Sequence, residues 1–237
     1  MAVKTYVKAS GTWRPSKEIY VKSGGSWRQI KKAWHKTAGV WELVHDRLVI
    51  LNLIISSNTF NYNIKSAAET LYGGPITGPA QITLTVNPGV IVGATDTLIP
   101  GIDSGTFASG SSLILNNYGY IVGKGGQGGS VLTPAYSSQY PYYGGPALQV
   151  TLPTNVYNYG IIGGGGGGGA GGDGVGSNSI GGGGGAGAQG GPGGWGYGGY
   201  TSYGASGTLL NGGVGTHDPI YVSTGGNLGY PGIYGGG

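Results

Sequence analysis

The chain has no cysteine, one methionine and two phenylalanines, and only 8% of its 237 residues are charged. Without cysteine there is no disulfide framework and no thiolate metal site, and nothing ties the chain to an oxidising compartment. Three histidines and eight carboxylates are a thin supply for acid–base or metal chemistry. His45-Asp46 and His217-Asp218 are isolated pairs that read as solvated loop residues, so neither a metal nor a cofactor is expected. No paired carboxylates and no nucleophile elbow stand out, which argues against an enzyme. Gly119 to Lys124 reads G-Y-I-V-G-K, one residue short of a phosphate loop and followed by Gly125, so that motif is rejected. Long apolar runs are missing too. "LVILNLII", from Leu48 to Ile55, contains an Asn and falls far short of the ~20 residues a spanning helix needs. The opening "MAVKTYVKAS" has no apolar signal core, so neither a classical export signal nor membrane insertion is expected.

What is present is unevenly placed. Of 57 glycines, 37 lie between Gly160 and Gly237, whereas four of five tryptophans and ten of twelve Lys and Arg precede Leu48. Residues 1–47 hold those ten cations against three acidic side chains, and the remainder holds two against five. A basic stretch with interleaved aromatics could grip nucleic acid. The favoured reading of the same residues is a small β module whose outward positions are Lys.

That stretch is a threefold repeat of fourteen residues: TYVKASGTWRPSKE, IYVKSGGSWRQIKK and AWHKTAGVWELVHD, sharing aromatic-x-Lys-x-x-Gly-x-Trp. Fourteen residues suit a β-hairpin better than a helical repeat. In the second copy Tyr20-Val21-Lys22 and Trp27-Arg28-Gln29 are the strands and Ser23-Gly24-Gly25 the turn. Six aromatics spaced by seven, Tyr6, Trp13, Tyr20, Trp27, Trp34 and Trp41, could form a minimal core. A module this small is marginal alone, so it either packs on the rest of the chain or docks on a partner, with Trp13, Trp27, Trp34, Trp41, Lys22 and Arg28 as the docking candidates.

The middle of the chain repeats N-P-G-V-I-V-G (87–93), N-Y-G-Y-I-V-G (117–123) and N-Y-G-I-I-G (158–163), the first and third preceded by GPAQITLTV and GPALQVTLP. Each unit reads as strand, Asn-x-Gly corner, then a short apolar strand, which suggests a solenoid-like or sandwich layer. The exits grow richer in glycine: GATD, GKGGQGG, then GGGGGGGAGGDG.

Gly-rich sequence is by default a flexible tether. Here the tracts are broken by Val175, Ile180, Trp195, Tyr197, Tyr200, Leu209 and Leu210, and are almost uncharged. The structured alternative is the extended threefold polyglycine helix, whose backbone groups must pair with neighbouring segments where no Cβ intervenes. The expected fold is therefore mainly β with little or no α-helix: β-hairpin repeats (1–47), a short-stranded β scaffold (48–129) and a glycine-rich polyglycine II bundle with aromatic loops (130–237). The tracts GGGGGGGAGG (163–172) and GGGGGAGAQGGPGG (181–194), with the later GG pairs, resemble the glycine-rich adhesins at the tips of T-even-type phage tail fibres. That resemblance implies a sandwich of polyglycine II helices with receptor-binding loops. The Lys-Trp hairpins are similar to modules of phage tail and fibre proteins.

Two segments rich in tyrosine, serine and glycine have the composition of contact loops: SVLTPAYSSQYPYYGG (130–145) and WGYGGYTSYGASG (195–207). Their aromatics, Tyr136, Tyr140, Tyr142, Tyr143, Trp195, Tyr197, Tyr200 and Tyr203, are the receptor-binding candidates, or else they cap the glycine layer. The expected function is a phage tail fibre, tail tip or baseplate protein that acts as an adhesin. It would dock to another tail or baseplate protein through residues 1–47, bind a protein or glycan on the bacterial outer surface, be made in the host cytoplasm and reside in the virion tail. A homo-oligomer stays open. The rivals are a purely structural tail component and a nucleic-acid binder with a disordered glycine-rich tail.

Overall fold

The computed structural model describes residues 6–9, 12–15, 20–30, 32–37, 39–46, 48–130, 141–171, 181–196 and 202–215. The first 46 residues form three antiparallel hairpins, each a sheet of its own: β1 (Tyr6–Ala9) with β2 (Thr12–Pro15), β3 (Tyr20–Ser23) with β4 (Ser26–Gln29), and β5 (Lys32–Thr37) with β6 (Val40–Asp46). Between β3 and β4 the chain reverses over Gly24 and Gly25 at φ +59 and +84, the two-residue turn that matches strand twist and needs positive φ at both positions. The expected aromatic core does not form on the side chains described. Trp27 and Trp41 are 68% and 62% exposed, and Tyr20 is exposed as well, because a lone two-stranded ribbon has no second layer to bury a face against.

From residue 49 the chain winds as a parallel solenoid of four coils. The first carries β7 (Val49–Ile55), β8 (Thr59–Phe60), β9 (Tyr62–Asn63) and the helix α1 (Ile64–Tyr72). The second carries β10 (Ala80–Val86), β11 (Ile91–Gly93) and β12 (Ile102–Asp103). The third carries β13 (Ser112–Asn117), β14 (Tyr120–Val122) and β15 (Leu148–Gln149), and the fourth β16 (Thr154–Asn158) and β17 (Ile161–Gly163). Strands stack in order β7-β10-β13-β16, β8-β11-β14-β17 and β9-β12-β15, all parallel. These sheets run on past residue 130, where the sequence suggested a boundary. Strand alternation supplies the core. Ala80, Ile82, Leu84 and Val86 of β10 are fully buried, with Leu53 and Ile55 stacked on one side and Leu113 and Leu115 on the other.

The Asn-x-Gly corners stack one residue differently from the sequence alignment. Val86 lies over Asn117, which lies over Asn158, so Asn87 falls one position beyond the strand. The first corner is a longer turn, Asn87-Pro88-Gly89-Val90, closed by the Val90 N–H on the Asn87 carbonyl at 3.2 Å with Gly89 at φ +75. Proline second and a positive-φ glycine third is the type II arrangement. At the next corner Asn117 replaces an apolar residue inside the stack and is fully buried. Its amide donates to Asn158 Oδ1 (2.8 Å) and the Ile161 carbonyl (3.1 Å), and its Oδ1 accepts from the Gly119 N–H (3.2 Å), so the burial is compensated. Tyr118 stacks on Tyr159 outside it, ring centroids 5.0 Å apart.

Helix α1 is an element the sequence reading passed over. Asn63 caps its start by accepting from the Ser66 N–H (2.9 Å), and Gly73 at φ +79 ends it. It packs against β7 and adds Ile64 and Ala68 to the core. Glu69 ties down the following loop by accepting from the Ile76 N–H (3.0 Å) and pairing with Lys65 (3.1 Å). Those bonds hold its carboxyl below the usual glutamate value. Among the described residues no helix is long and apolar enough to cross a membrane.

Candidate receptor-binding end

Beyond β14 and β17 the two strands run on side by side, and the spacing of their hydrogen bonds changes. Gly123, Gly126 and Gly129 donate to the carbonyls of Gly163, Gly166 and Gly169 at 3.0, 2.9 and 2.8 Å. The ladder therefore repeats every third residue, where a β-ladder repeats every second. The same step of three recurs between neighbours that run the other way. Gly182, Gly185 and Ala188 donate to Gly129, Gly126 and Gly123, and Gly191 and Gly194 donate to Gly185 and Gly182. Segments 141–146, 203–208 and 211–215 join the same network.

Only glycine allows this approach. A Cβ on Gly165 or Gly168 would lie 1.8 or 1.9 Å from the Lys124 or Gln127 carbonyl oxygen, and one on Gly182 or Gly185 would lie 2.0 or 1.9 Å from that of Gly169 or Gly166. These glycines have no positive φ, so the requirement here is space and not backbone conformation. The third position of each turn points away from its neighbours and can carry a side chain. Lys124 and Gln127 occupy one such row, with Gln189, Pro192 and Trp195 in another. Lys124 Nζ reaches Gln189 Oε1 at 3.3 Å. At the near end of the framework Ala188 lies against Gly93 and the Phe60 ring of the solenoid.

At the far end five glycine-bearing segments meet. Gly129, Gly169, Gly182, Gly194 and Gly204 form one hydrogen-bonded group there, linked at 2.7–2.9 Å. Ser130, Gly171, Gly181, Gly196 and Ser202, which flank the intervals 131–140, 172–180 and 197–201, each lie within two residues of a member of this group. Ser130, buried at the mouth of the first interval, accepts from the Trp195 N–H at 2.9 Å beside the third. Residue 215, reached from Asn211 by a segment antiparallel to 203–208, lies at this end as well.

Of the eight receptor-binding candidates, four are described. The Tyr142 backbone is held on both sides, its N–H donating to Gln127 and its carbonyl accepting from Gly168, both at 3.0 Å, while half its side chain is exposed. Tyr143 is 90% exposed. Trp195 and Tyr203 pair across a two-residue ribbon, β18 (Trp195–Gly196) with β19 (Ser202–Tyr203). Trp195 is partly buried and Tyr203 largely exposed. Tyr136, Tyr140, Tyr197 and Tyr200 lie outside the described residues. Ser130 is the positioning residue that sequence reasoning missed. Its only signal is that it continues the every-third-residue row of Lys124 and Gln127.

Lys124 is the one charged side chain among the described residues from 123 to 215. Among the described residues no group of three or more His, Asp or Glu could hold a metal ion. Of the docking candidates, Lys22, Trp27, Arg28 and Trp41 are exposed, and Trp13 and Trp34 lie on β2 and β5.

No curated protein and no solved structure matched the chain. A family model described as phage tail fibre adhesin Gp38 matches residues 50–237, which takes in the whole solenoid and glycine framework but not the hairpins. The chain is therefore a member of the phage tail fibre adhesin family and a component of the virion tail.

Proposed function

We propose that this adhesin binds a receptor on the bacterial surface with the aromatic intervals gathered at the far end of a polyglycine II bundle. The observation that carries the reading is that Ser130, Gly171, Gly181, Gly196 and Ser202, which flank 131–140, 172–180 and 197–201, adjoin one hydrogen-bonded glycine group. The first of these intervals carries Tyr136 and Tyr140, the third Tyr197 and Tyr200, and the second serine and asparagine without an aromatic, beside a framework built almost wholly of glycine. The step of three and the absence of room for a Cβ are what packed threefold polyglycine helices require. In this division of labour residues 1–47 mount the protein on another tail protein, residues 48–129 begin the scaffold, and residues 130–237 complete it and carry the receptor surface.

Contact residues on an already ordered frame lose little entropy on binding. The test is virions carrying the triple substitution Tyr142→Ala, Tyr143→Ala and Tyr203→Ala. Adsorption to host cells should slow by at least tenfold, equivalent to about 1.4 kcal/mol of lost binding energy, while thermal unfolding of the purified chain is unchanged. Wild-type adsorption by this variant, and by one lacking residues 131–140, would leave the far end with a purely structural role.

A further inference from the structure

A ladder of identical glycines does not fix its own register. Glycine-rich strands slip because each shifted pairing resembles the last, and here the repeat is three residues, about 9 Å of travel at ~3.1 Å per residue. Segments 123–130 and 163–171 escape the ambiguity, since they continue β14 and β17, whose pairing the solenoid sets. Segment 189–196 continues no solenoid strand. Its Gln189 and Pro192 carbonyls accept from Gly125 and Gly128, its Gly191 and Gly194 N–H groups donate to Gly185 and Gly182, and the carbonyls of those two glycines accept from Gly207 and Gly204. These bonds come in pairs three residues apart. Slid outward by one turn, glycine would replace glycine at sites 190, 193 and 194, and the ladder would close again.

Side chains forbid the slide. Moved outward, Ala188 would arrive at the Gly191 site, where a Cβ would lie 1.8 Å from the Gly126 carbonyl oxygen. Moved the other way, Tyr197, next in that row of the sequence, would arrive at the Gly194 site, where a Cβ would lie 2.0 Å from the Gly129 oxygen. Two polar ties then mark the correct turn, Lys124 Nζ to Gln189 Oε1 at 3.3 Å and the Trp195 N–H to Ser130 Oγ at 2.9 Å. We infer that Ala188 and the Ser130 hydroxyl are register keys, positioning residues that decide at which turn of the framework the chain enters 197–201 relative to its entry into 131–140. The consequence rests on the far-end receptor reading. A slip of one turn would carry one candidate contact segment about 9 Å past the other, with every contact residue unchanged. Receptor specificity is thereby set in part by residues outside the receptor surface.

The chain has no cysteine, so two nitroxide labels can be placed without competition, at Ile161→Cys on β17 and Pro192→Cys on the segment that would slide. Both side chains are exposed. Dipolar electron resonance on the otherwise native full chain should give one distance. Ala188→Gly combined with Lys124→Ala and Ser130→Ala should add a second population, longer by about 9 Å, and virions carrying those three changes without labels should adsorb about tenfold more slowly or worse. Ser130→Thr in place of Ser130→Ala keeps the hydroxyl and should return most of the chain to the native distance. Ala188→Gly alone removes one methyl group and guards against simple unfolding, and it should show the longer distance as a minor population. One unshifted distance in the triple variant, or a broad one there with no longer distance in Ala188→Gly, would overturn the inference whatever adsorption does. The longer distance with native adsorption would uphold the register keys and overturn receptor binding at the far end.

Discussion

A methyl group placed at two glycines of the framework should have opposite effects. At Gly185 an added Cβ would sit 1.9 Å from the Gly166 carbonyl oxygen and 2.6 Å from its carbon, and contacts under 3.0 Å are essentially never seen for real Cβ atoms. Both neighbours are backbone, so segments 163–171 and 181–188 must part by about 1 Å. That stretches bonds such as Gly166 N–H to Ala186 (2.8 Å) and Gly169 N–H to Gly183 (2.8 Å) past the ~3.2 Å limit of a sound hydrogen bond. Two or three lost bonds, each worth about 0.5–1.5 kcal/mol net and more where a buried group is left unpaired, come to about 2–4 kcal/mol. The lower entropy of the unfolded alanine chain returns about 0.4–1 kcal/mol. At Gly164 the nearest atom to an added Cβ is the Gly145 oxygen at 3.4 Å, so only the entropic gain remains. Gly185→Ala should therefore be less stable by about 2–3 kcal/mol and Gly164→Ala more stable by up to about 1 kcal/mol. Denaturant unfolding of the full chain measures both, and amide exchange at Gly166 and Gly169 reports whether the loss is local. Equal effects at the two positions would refute the packed framework and return the tract to a tether.

Three further outcomes follow from the solenoid and its helix. Asn117→Ala strands the Ile161 carbonyl and the Gly119 N–H inside the stack and should cost about 2–4 kcal/mol by thermal unfolding. Asn117→Leu should not restore stability, because Val86 and Asn158 flank a corner that needs those bonds as well as the volume. Glu69 has its folded-state pKa lowered by the Ile76 N–H and Lys65, so its contribution is present above the ordinary glutamate value and lost as pH falls through the lower folded value. Glu69→Gln should consequently narrow the difference in melting temperature between neutral and acid pH, and an unchanged difference would remove that assignment. Gly73→Ala, at φ +79, should cost about 1 kcal/mol, visible as reduced melting temperature.

The hairpins were readable from sequence because a fourteen-residue repeat carries its own turn glycines, and the structure pairs Tyr20-Val21-Lys22 with Trp27-Arg28-Gln29 as expected. Their burial was not readable, since an aromatic spaced for a core looks the same as one spaced for a partner. The Asn-x-Gly corners gave the strands but misplaced one register, because Asn87 begins a proline turn and Asn117 ends a strand. Helix α1 is nine residues long, too short for periodicity to stand out from its neighbours. The step of three is invisible in a run of identical glycines. It shows only where the run is broken, in Lys124, Gln127 and Ser130 and in Gln189, Pro192 and Trp195. Of the candidate binding end, composition revealed the two aromatic segments, but not that the described residues flanking them adjoin one glycine group. That depends on which glycine pairs with which.

A framework held by backbone bonds and closed to side chains also has its own heat capacity. Exposing apolar surface raises the heat capacity of unfolding and exposing polar surface lowers it. Residues 123–130, 163–171 and 181–194 bury mostly peptide groups, so this part of the adhesin should unfold with an unusually small heat-capacity change. Its stability would then vary little from cold water to a warm host, a flat curve suited to a particle that must wait outside the cell with its binding surface intact.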